Sequence, residues 1–513
     1  MQSGKAARGT LYLTVQQLIQ YLAAFIFYVG VARFITQTEV GLWSILTAST
    51  AVFATLTLLG LPVATQKYVS ESYGRGDLSS AASVSHLSFT IVALCTLPTL
   101  TAVLLLSPSL STLILGGAEY AIPFMLILSA SAILNFTALY GADMLGLGMY
   151  LEVAIQNIAL ILISRASGLA LAYRGYGLLG LASGWLIGAL SCLILSIYLM
   201  RKKLPKPSKH LRDLYGTVFN YSYPVWILAI IGLAQSWADI TILYALTGRP
   251  AITGIYYLAS AGATLLAIFW IAISMVILPL ISSEEARVGK QALPSIYNAS
   301  SRLLNILILP IGASLAAISP TAIRIAYGPG YIEGAAPFAL LTASAILPAY
   351  ISINTSTLQA IAETKVLAKI GAVSAIVDIA LVALLVKPFE ANGAAIARTA
   401  MFLTAFLLTQ KALASKAQVK IDLSHFAKTI ALAAVVALPL AALDHALTYL
   451  YAINPAARLI LEGTFFLIIY TILLRLFKIV AEGDLELLRK ALPHQLEKIL
   501  NILESFVVHR TLP

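Results

Sequence analysis

The chain is poor in charge. Only 11% of its 513 residues are Asp, Glu, Lys or Arg, against about 25% in an ordinary soluble domain. Hydrophobic residues make up 60% of it, and mean hydropathy is +0.90. No soluble fold hides that much apolar surface, so the expected solvent is lipid. Cysteine is also scarce. Cys95 and Cys192 both sit in apolar runs, which excludes a disulfide framework. The few His and Cys residues show no zinc spacing. There is no phosphate-cradling G-x-x-x-x-G-K-S/T loop and no nucleophile elbow. Paired carboxylates with access to water are missing too. The expected outer loops are short and leave no soluble catalytic domain, so the chain reads as a non-enzyme.

Long apolar runs are what the sequence has. A crossing helix needs roughly 20 apolar residues. Candidate spans fall at about 11–34, 41–64, 81–106, 121–141, 152–173, 177–200, 217–246, 254–281, 303–320, 335–358, 366–386, 392–412, 427–450 and 456–478, fourteen in all. The run after "MQSGKAARGT" is longer than a signal-peptide core and lacks a clear cleavage site, so it reads as the first span.

The net charge of +11 could point to nucleic acid, but its placement points elsewhere. With the N-terminus in the cytoplasm, the exceptions to a positive inside are Arg33, Arg165, Arg174, Arg249, Arg324, Lys387, Arg398 and Arg458. These are 8 of 33 basic residues, which leaves 33 − 8 = 25 inside. The loop after the sixth span alone carries Arg201, Lys202, Lys203, Lys206, Lys209 and Arg212. This bias predicts both termini in the cytoplasm of a cell-membrane protein. The positive charge then faces anionic lipid rather than nucleic acid.

The sequence also repeats itself. "ASAIL" occurs at Ala130–Leu134 and at Ala343–Leu347, and 343 − 130 = 213. "EVGLWSILTAS" around Gly41 matches "ITGIYYLASAG" around Gly254, and "GLLGLA" pairs Gly180 with Gly393. Both keep the same offset. Pro62 and Pro279 each close the second span of their half, one helical turn off that register. Spans 1–6 are therefore duplicated as spans 7–12. An even number of spans per half predicts two lobes of like orientation, related by a pseudo-twofold along the membrane normal, which is a transporter architecture. The expected organisation is an N-lobe over 1–213, a C-lobe over 214–422, two extra helices over 423–480 and a tail over 481–513.

Along most of its length the chain resembles the polysaccharide and oligosaccharide flippases of the MATE-like (MOP) exporter superfamily. The segments that carry the likeness are "VARFITQTEVGLWSI", "GLPVATQKYVSESYGRGD", "NYSYPVWI" followed by Asp239, "TGIYYLASA", "ILPLIS", "YGPGYIEGAAPFALL" and "NGAAIA". The resemblance implies fourteen spans, two lobes and alternating access. It also implies inner-to-outer movement of a lipid-linked, usually pyrophosphate-linked, oligosaccharide. Two rival transporter classes fit the sequence less well. The loop after span 2, "KYVSESYGRGDLSS", lacks the major-facilitator signature. Drug-exporting MATE relatives often place an acid in span 1, where this chain has Gln16, Gln17 and Gln20. A cation-coupled multidrug exporter stands as the alternative.

Charges inside the membrane are costly and mark function or pairing. Arg165, Asp239, Asp378 and Arg398 are the clearest, and Arg165 and Asp378 are repeat equivalents, 213 apart. In one reading each is neutralised inside its own lobe, Asp378 or Asp239 by Arg398. In the other, implied by the resemblance, Asp239, Asp378, Ser374 and Thr399 form a sodium or proton coupling site, with Arg398 as an unfavourable neighbour. Oxygen ligands suit a hard cation. Beyond that ion no cofactor is expected. For a pyrophosphate head the candidates are Arg33, Lys67, Arg165 and Arg398, because arginine forks bind oxyanions bidentately. Gln16 and Gln20 are candidates for sugar hydroxyls. Arg33 and Lys67 could equally be snorkelling to the headgroups. The tail over 482–510 shows an amphipathic stripe from Leu485 to Phe506, broken by Pro493, and is expected to lie on the inner membrane surface. Expected partners are the lipid-linked oligosaccharide and membrane lipids, with glycosyltransferase docking left open. The chain is expected to act as a monomer.

Overall fold

A computed structural model of the chain describes residues 2–207, 211–271, 273, 274, 281, 287, 289, 291, 293–449 and 454–477. The proposed tail helix and Pro279 lie outside them. Among the described residues every regular element is helical. Lipid supplies no hydrogen bonds, so the backbone must satisfy its own.

Among the described residues, twelve helical segments are long and apolar enough to cross a membrane. Two of them, Tyr150–Met200 and Thr364–Lys416, run through a sharp break and cross twice, which makes fourteen crossings. The chain is an all-α multi-pass membrane protein.

Two compact units divide it, Met1–Tyr257 and Leu258–Pro513. The first contains α1 (Gln2–Phe34), α2 (Gln37–Leu58), α3 (Leu61–Gly74), α4 (Leu78–Leu115), α5 (Ala121–Gly146), α6 (Tyr150–Leu171), α7 (Gly177–Met200), α8 (Leu211–Thr247) and the start of α9 (Pro250–Ala263). The second contains the rest of α9, then α10 (Leu293–Ala317), α11 (Ser319–Tyr327), α12 (Ala335–Ala343), α13 (Ile346–Ala360), α14 (Thr364–Lys416), α15 (Leu423–Tyr449) and α16 (Pro455–Leu476).

Local chemistry sets several boundaries. Thr36 and Glu39 form a reciprocal capping box that starts α2. The second span does not simply end at Pro62. It breaks at Leu59 and Gly60, both at positive φ, and restarts as α3 with Pro62 in the first turn. A missing N–H costs nothing there, because that turn has no intrahelical acceptor to lose. Gly60 is required at the break: a Cβ would lie 2.5 Å from the Ser222 carbonyl of α8.

In the first unit α6 and α7 form the tightest pair. Gly180, Gly184 and Gly188 recur every fourth residue on α7. A Cβ on Gly184 would lie 2.3 Å from Gly168 Cα, and one on Gly188 2.4 Å from Ser164 Cβ. Small residues let backbones touch where no hydrophobic effect drives helices together. α1 packs on α6, and α5 packs on α3, α4 and α7. The repeat register reappears where α2 meets the start of α9. A Cβ on Gly41 would lie 1.8 Å from the Pro250 carbonyl, and one on Gly254 2.4 Å from the Gln37 carbonyl. Each pair is the other shifted by 213, so these two helix starts have a local twofold relation.

In the second unit α10 packs on α12, α13 and α15, and α14 on α12 and α13. Several of its buried polar groups pair with one another. The Tyr297 hydroxyl lies 2.8 Å from Asn354 Oδ1 and 2.9 Å from Gln410 Oε1, and Tyr350 donates to Asn305. Arg458 at the start of α16 holds Asp444 of α15 and Glu462 of its own helix, at 2.5 and 2.9 Å.

Candidate functional site

The first unit gathers three of the six expected substrate residues. Arg165 of α6 donates from Nη1 to the Gln20 carbonyl of α1 at 3.0 Å, and its guanidinium lies 5.8 Å from the Phe27 ring centroid. A cation in an apolar setting takes a carbonyl and an aromatic face when no carboxylate is at hand. One turn before Gln20, the Gln16 side-chain oxygen Oε1 accepts from Asn157 Nδ2 at 3.4 Å. Asn157 lies two turns before Arg165 on α6, so both contacts stitch the same α1–α6 seam.

The other cations stand apart from this seam. Arg33 is exposed at the end of α1. Lys67 on α3 points its Nζ at the Tyr221 ring of α8, 4.0 Å from the centroid, and lies 4.8 Å from Tyr68. The Tyr68 hydroxyl in turn donates to the Thr217 carbonyl, so α8 holds this aromatic seat in place. Arg398, in the second unit, lies 6.0 Å from the Phe402 ring one turn further along α14.

The expected coupling residues divide between the units. Asp239 is fully buried in the first, accepting from the Ile240 amide at 2.8 Å and from the Tyr256 hydroxyl. Asp378 and Ser374 are fully buried one turn apart on α14. Ser374 donates to the Ile370 carbonyl at 2.9 Å. Thr399 pairs with Ser344 of the α12–α13 link at 3.3 Å. The oxygens of Asp378, Ser374, Ser344 and Thr399 are of the kind a hard cation takes. Asp239 instead faces a phenol and an amide. Among the described residues no three His, Cys, Asp or Glu side chains come together as a metal cluster.

Sequence reasoning missed several polar groups. Asp143 is buried on α5 and accepts from Ser85 of α4 at 2.6 Å. The fourth span was expected to end at 141, so Asp143 read as a loop residue, but α5 continues to Gly146. Gln156 and Asn157 went unmarked because the embedded groups that stand out in span 5 are charges, and these two carry none. Their position one and two residues along from a lipid-facing residue, Ile155, gives no sign of the cavity they line.

With this geometry in view, the chain can be placed among known proteins. Residues 6–284 match the family described as "Polysaccharide biosynthesis protein". The match covers just over half of the chain, and the protein belongs to that family. The chain is similar to the "Probable low-salt glycan biosynthesis flippase Agl15" of Haloferax volcanii, at 22% identity over 489 residues, covering 95% of this chain and 99% of that one. It is also similar to stage V sporulation protein B of Bacillus subtilis, at 25% identity over 210 residues and 40% of each chain. Among solved structures, the inward closed conformation of the lipid II flippase MurJ superposes with a TM-score of 0.74. The identity is 15%, and 91% of this chain and 98% of that one are covered. An inward-facing MATE multidrug transporter of the MOP superfamily gives 0.64 at 12% identity, covering 78% and 95%. The fold is that of the MOP superfamily.

Proposed function

We propose that the protein is a flippase. It carries a lipid-linked, pyrophosphate-bearing oligosaccharide from the inner to the outer leaflet by alternating access, for cell-surface polysaccharide or glycoprotein assembly. The observation that carries this reading is the α1–α6 seam. A membrane-embedded guanidinium and a row of amides lie side by side in one unit, one chemistry suited to phosphate and the other to sugar hydroxyls. Full-length likeness to a glycan biosynthesis flippase supports the same substrate class.

In this reading Arg165, Lys67, Arg33 and Arg398 guide the charged head, and Gln16 and Gln20 meet the sugars. Asp378, Ser374 and Thr399, with Asp239, couple the cycle to sodium or protons. The protein works as a transporter rather than a catalyst, as a monomer in the plasma membrane with both termini cytoplasmic. A glycosyltransferase docked at the cytoplasmic face would supply the loaded lipid. Multidrug export is the weaker reading, because span 1 offers glutamines where a cationic drug would want an acid.

The test is reconstitution into vesicles carrying a fluorescent lipid-pyrophosphate oligosaccharide, with and without a sodium or proton gradient. The expected result is transfer to the opposite leaflet above protein-free vesicles. Absence of transfer, together with gradient-driven export of a small organic cation, would overturn the reading.

A further inference from the structure

A second polar feature of the first unit is not used by the phosphate chemistry above. A cavity of about 350 Å³ opens between α3, α5, α6 and α7, within the roughly 300–1,000 Å³ of small-ligand sites. Its mouth carries Val63 and Gln66, both exposed. Its floor is Gln156 of α6, a side chain only 3% exposed. Gln156 Nε2 donates to the Thr137 carbonyl of α5 at 2.9 Å. A carbonyl can only accept, so this bond fixes which end of the amide is which. The other end, Oε1, is buried and receives no hydrogen bond from the described residues.

An orphaned buried acceptor is costly and is rarely left without a reason. Gly141 of α5 lies over the amide, and a Cβ there would come within 3.5 Å of Oε1. Asn157, beside Gln156, adds a second amide to the lining and reaches back to Gln16. No charged side chain lines the cavity. The chemistry on offer is therefore a carbonyl acceptor in a neutral, amide-edged pocket. It suits a hydroxyl donor on an uncharged ring and disfavours a phosphate, whose oxygens would face Oε1.

We propose that this pocket is a sugar subsite, in which Gln156 Oε1 accepts a hydroxyl of one neutral pyranose ring. That the ring belongs to the transported glycan rests on the flippase reading above. The pocket then separates the tasks within one unit: sugar between α3, α5 and α6, phosphate at the cations.

The test reads the pocket without reading transport. Val63→Cys is introduced into a Cys95→Ala background, and the protein is held in nanodiscs free of glycoside detergents. Alkylation of the new thiol is timed against the parent lacking Val63→Cys, alone and with neutral monosaccharides (glucose, mannose, galactose, N-acetylglucosamine) or with inorganic phosphate. At least one sugar is expected to slow labelling, and phosphate is not. Gln156→Leu should weaken that protection about tenfold, the worth of one buried hydrogen bond. Gly141→Ala, which adds only an ordinary van der Waals contact beside Oε1, should do the same with the amide in place. No protection by any sugar, equal protection by phosphate, or protection that survives both variants would overturn the proposal. Flipping without protection sinks the pocket and leaves the flippase. Protection without flipping keeps the pocket and sinks the flippase.

Discussion

Gly177 turns α6 into α7 at φ 49 and ψ −132. Glu390, 213 positions later, turns the two crossings of α14 at φ 48 and ψ −124. The duplicated hairpins thus share a backbone conformation that glycine adopts freely and other residues adopt under strain. Their surroundings explain why one kept glycine. In the first hairpin Glu39 of α2 accepts from the Leu178 amide at 3.2 Å, and its Oε1 lies 2.1 Å from where a Gly177 Cβ would be. The second repeat has Ile252 at the Glu39 position and carries its acid on the turn itself.

Just below the turn both repeats keep a glycine. A Cβ on Gly180 would lie 2.9 Å from the Leu171 carbonyl carbon, and one on Gly393 2.3 Å from the Leu385 carbonyl oxygen. Deeper in, they part. Gly184 and Gly188 correspond to Ala397 and Met401, both buried. The first hairpin is closed by backbone contact, and the second is filled by side chains. Duplicated sequence persists where the backbone leaves no choice and drifts where volume can be traded.

The sharpest way to break this comparison is to put volume into both hairpins. Gly188→Leu should cost about 3 kcal/mol or more, since its Cβ would meet Ser164 backbone as well as side chain and no flexible group can yield. Met401→Leu, nearly isosteric, should cost less than about 1.5 kcal/mol. Thermal unfolding of the purified variants in one detergent checks both. Equal losses would mean that the hairpins pack alike.

The turns give a second pair, expected to differ in sign. Gly177→Ala should destabilise by about 1–3 kcal/mol from backbone strain, with the displaced Glu39 adding to it. Glu390→Gly relieves the same strain but frees the unfolded chain, a loss of about 0.4–1 kcal/mol. Its net effect should be small or stabilising. A clear destabilisation by Glu390→Gly would show that the glutamate side chain holds the turn.

These differences set how far the sequence could be read. Fourteen crossings and their duplication were legible because a 20-residue apolar run and a fixed offset survive drift. The two double crossings were legible as separate spans because Gly175, Gly177 and Pro388 punctuate them. The break at Leu59–Gly60 was not, because it interrupts the backbone without interrupting hydropathy. Arg165 stood out by its charge, and the structure sets it on the same seam as Gln16 and Gln20. Gln156 did not stand out. Its importance lies in an acceptor that no described residue supplies with a donor, which only the fold reveals.

The charge inversion between the repeats gives a third test. Arg165 and Asp378 hold equivalent positions, one against a backbone carbonyl and one fully buried near Ser374. Arg165→Gln should lower flipping of a pyrophosphate-linked glycan by about tenfold, within the worth of a charge-assisted hydrogen bond. Asp378→Asn should leave downhill flipping intact and remove its response to a cation gradient. If both variants lose the same activity in the same way, the two positions serve one structural purpose and the inversion has no functional meaning.

The smallest effect is expected at Lys67, a cation that in the register of Pro62 and Pro279 corresponds to Glu284 of the second repeat. Its ammonium rests against Tyr221, which a merely snorkelling lysine would not need. Cation–π contacts at exposed sites are worth about 0.5–1 kcal/mol, or roughly twofold to fivefold. Tyr221→Phe keeps the ring face and should leave flipping unchanged. Tyr221→Leu removes the face and should slow flipping by about twofold to fivefold, with Lys67→Met at least as severe. The discriminating result is the double variant. If the ring acts only by holding Lys67, Tyr221→Leu adds nothing once Lys67 is gone. If it contacts the glycan by itself, the two losses multiply.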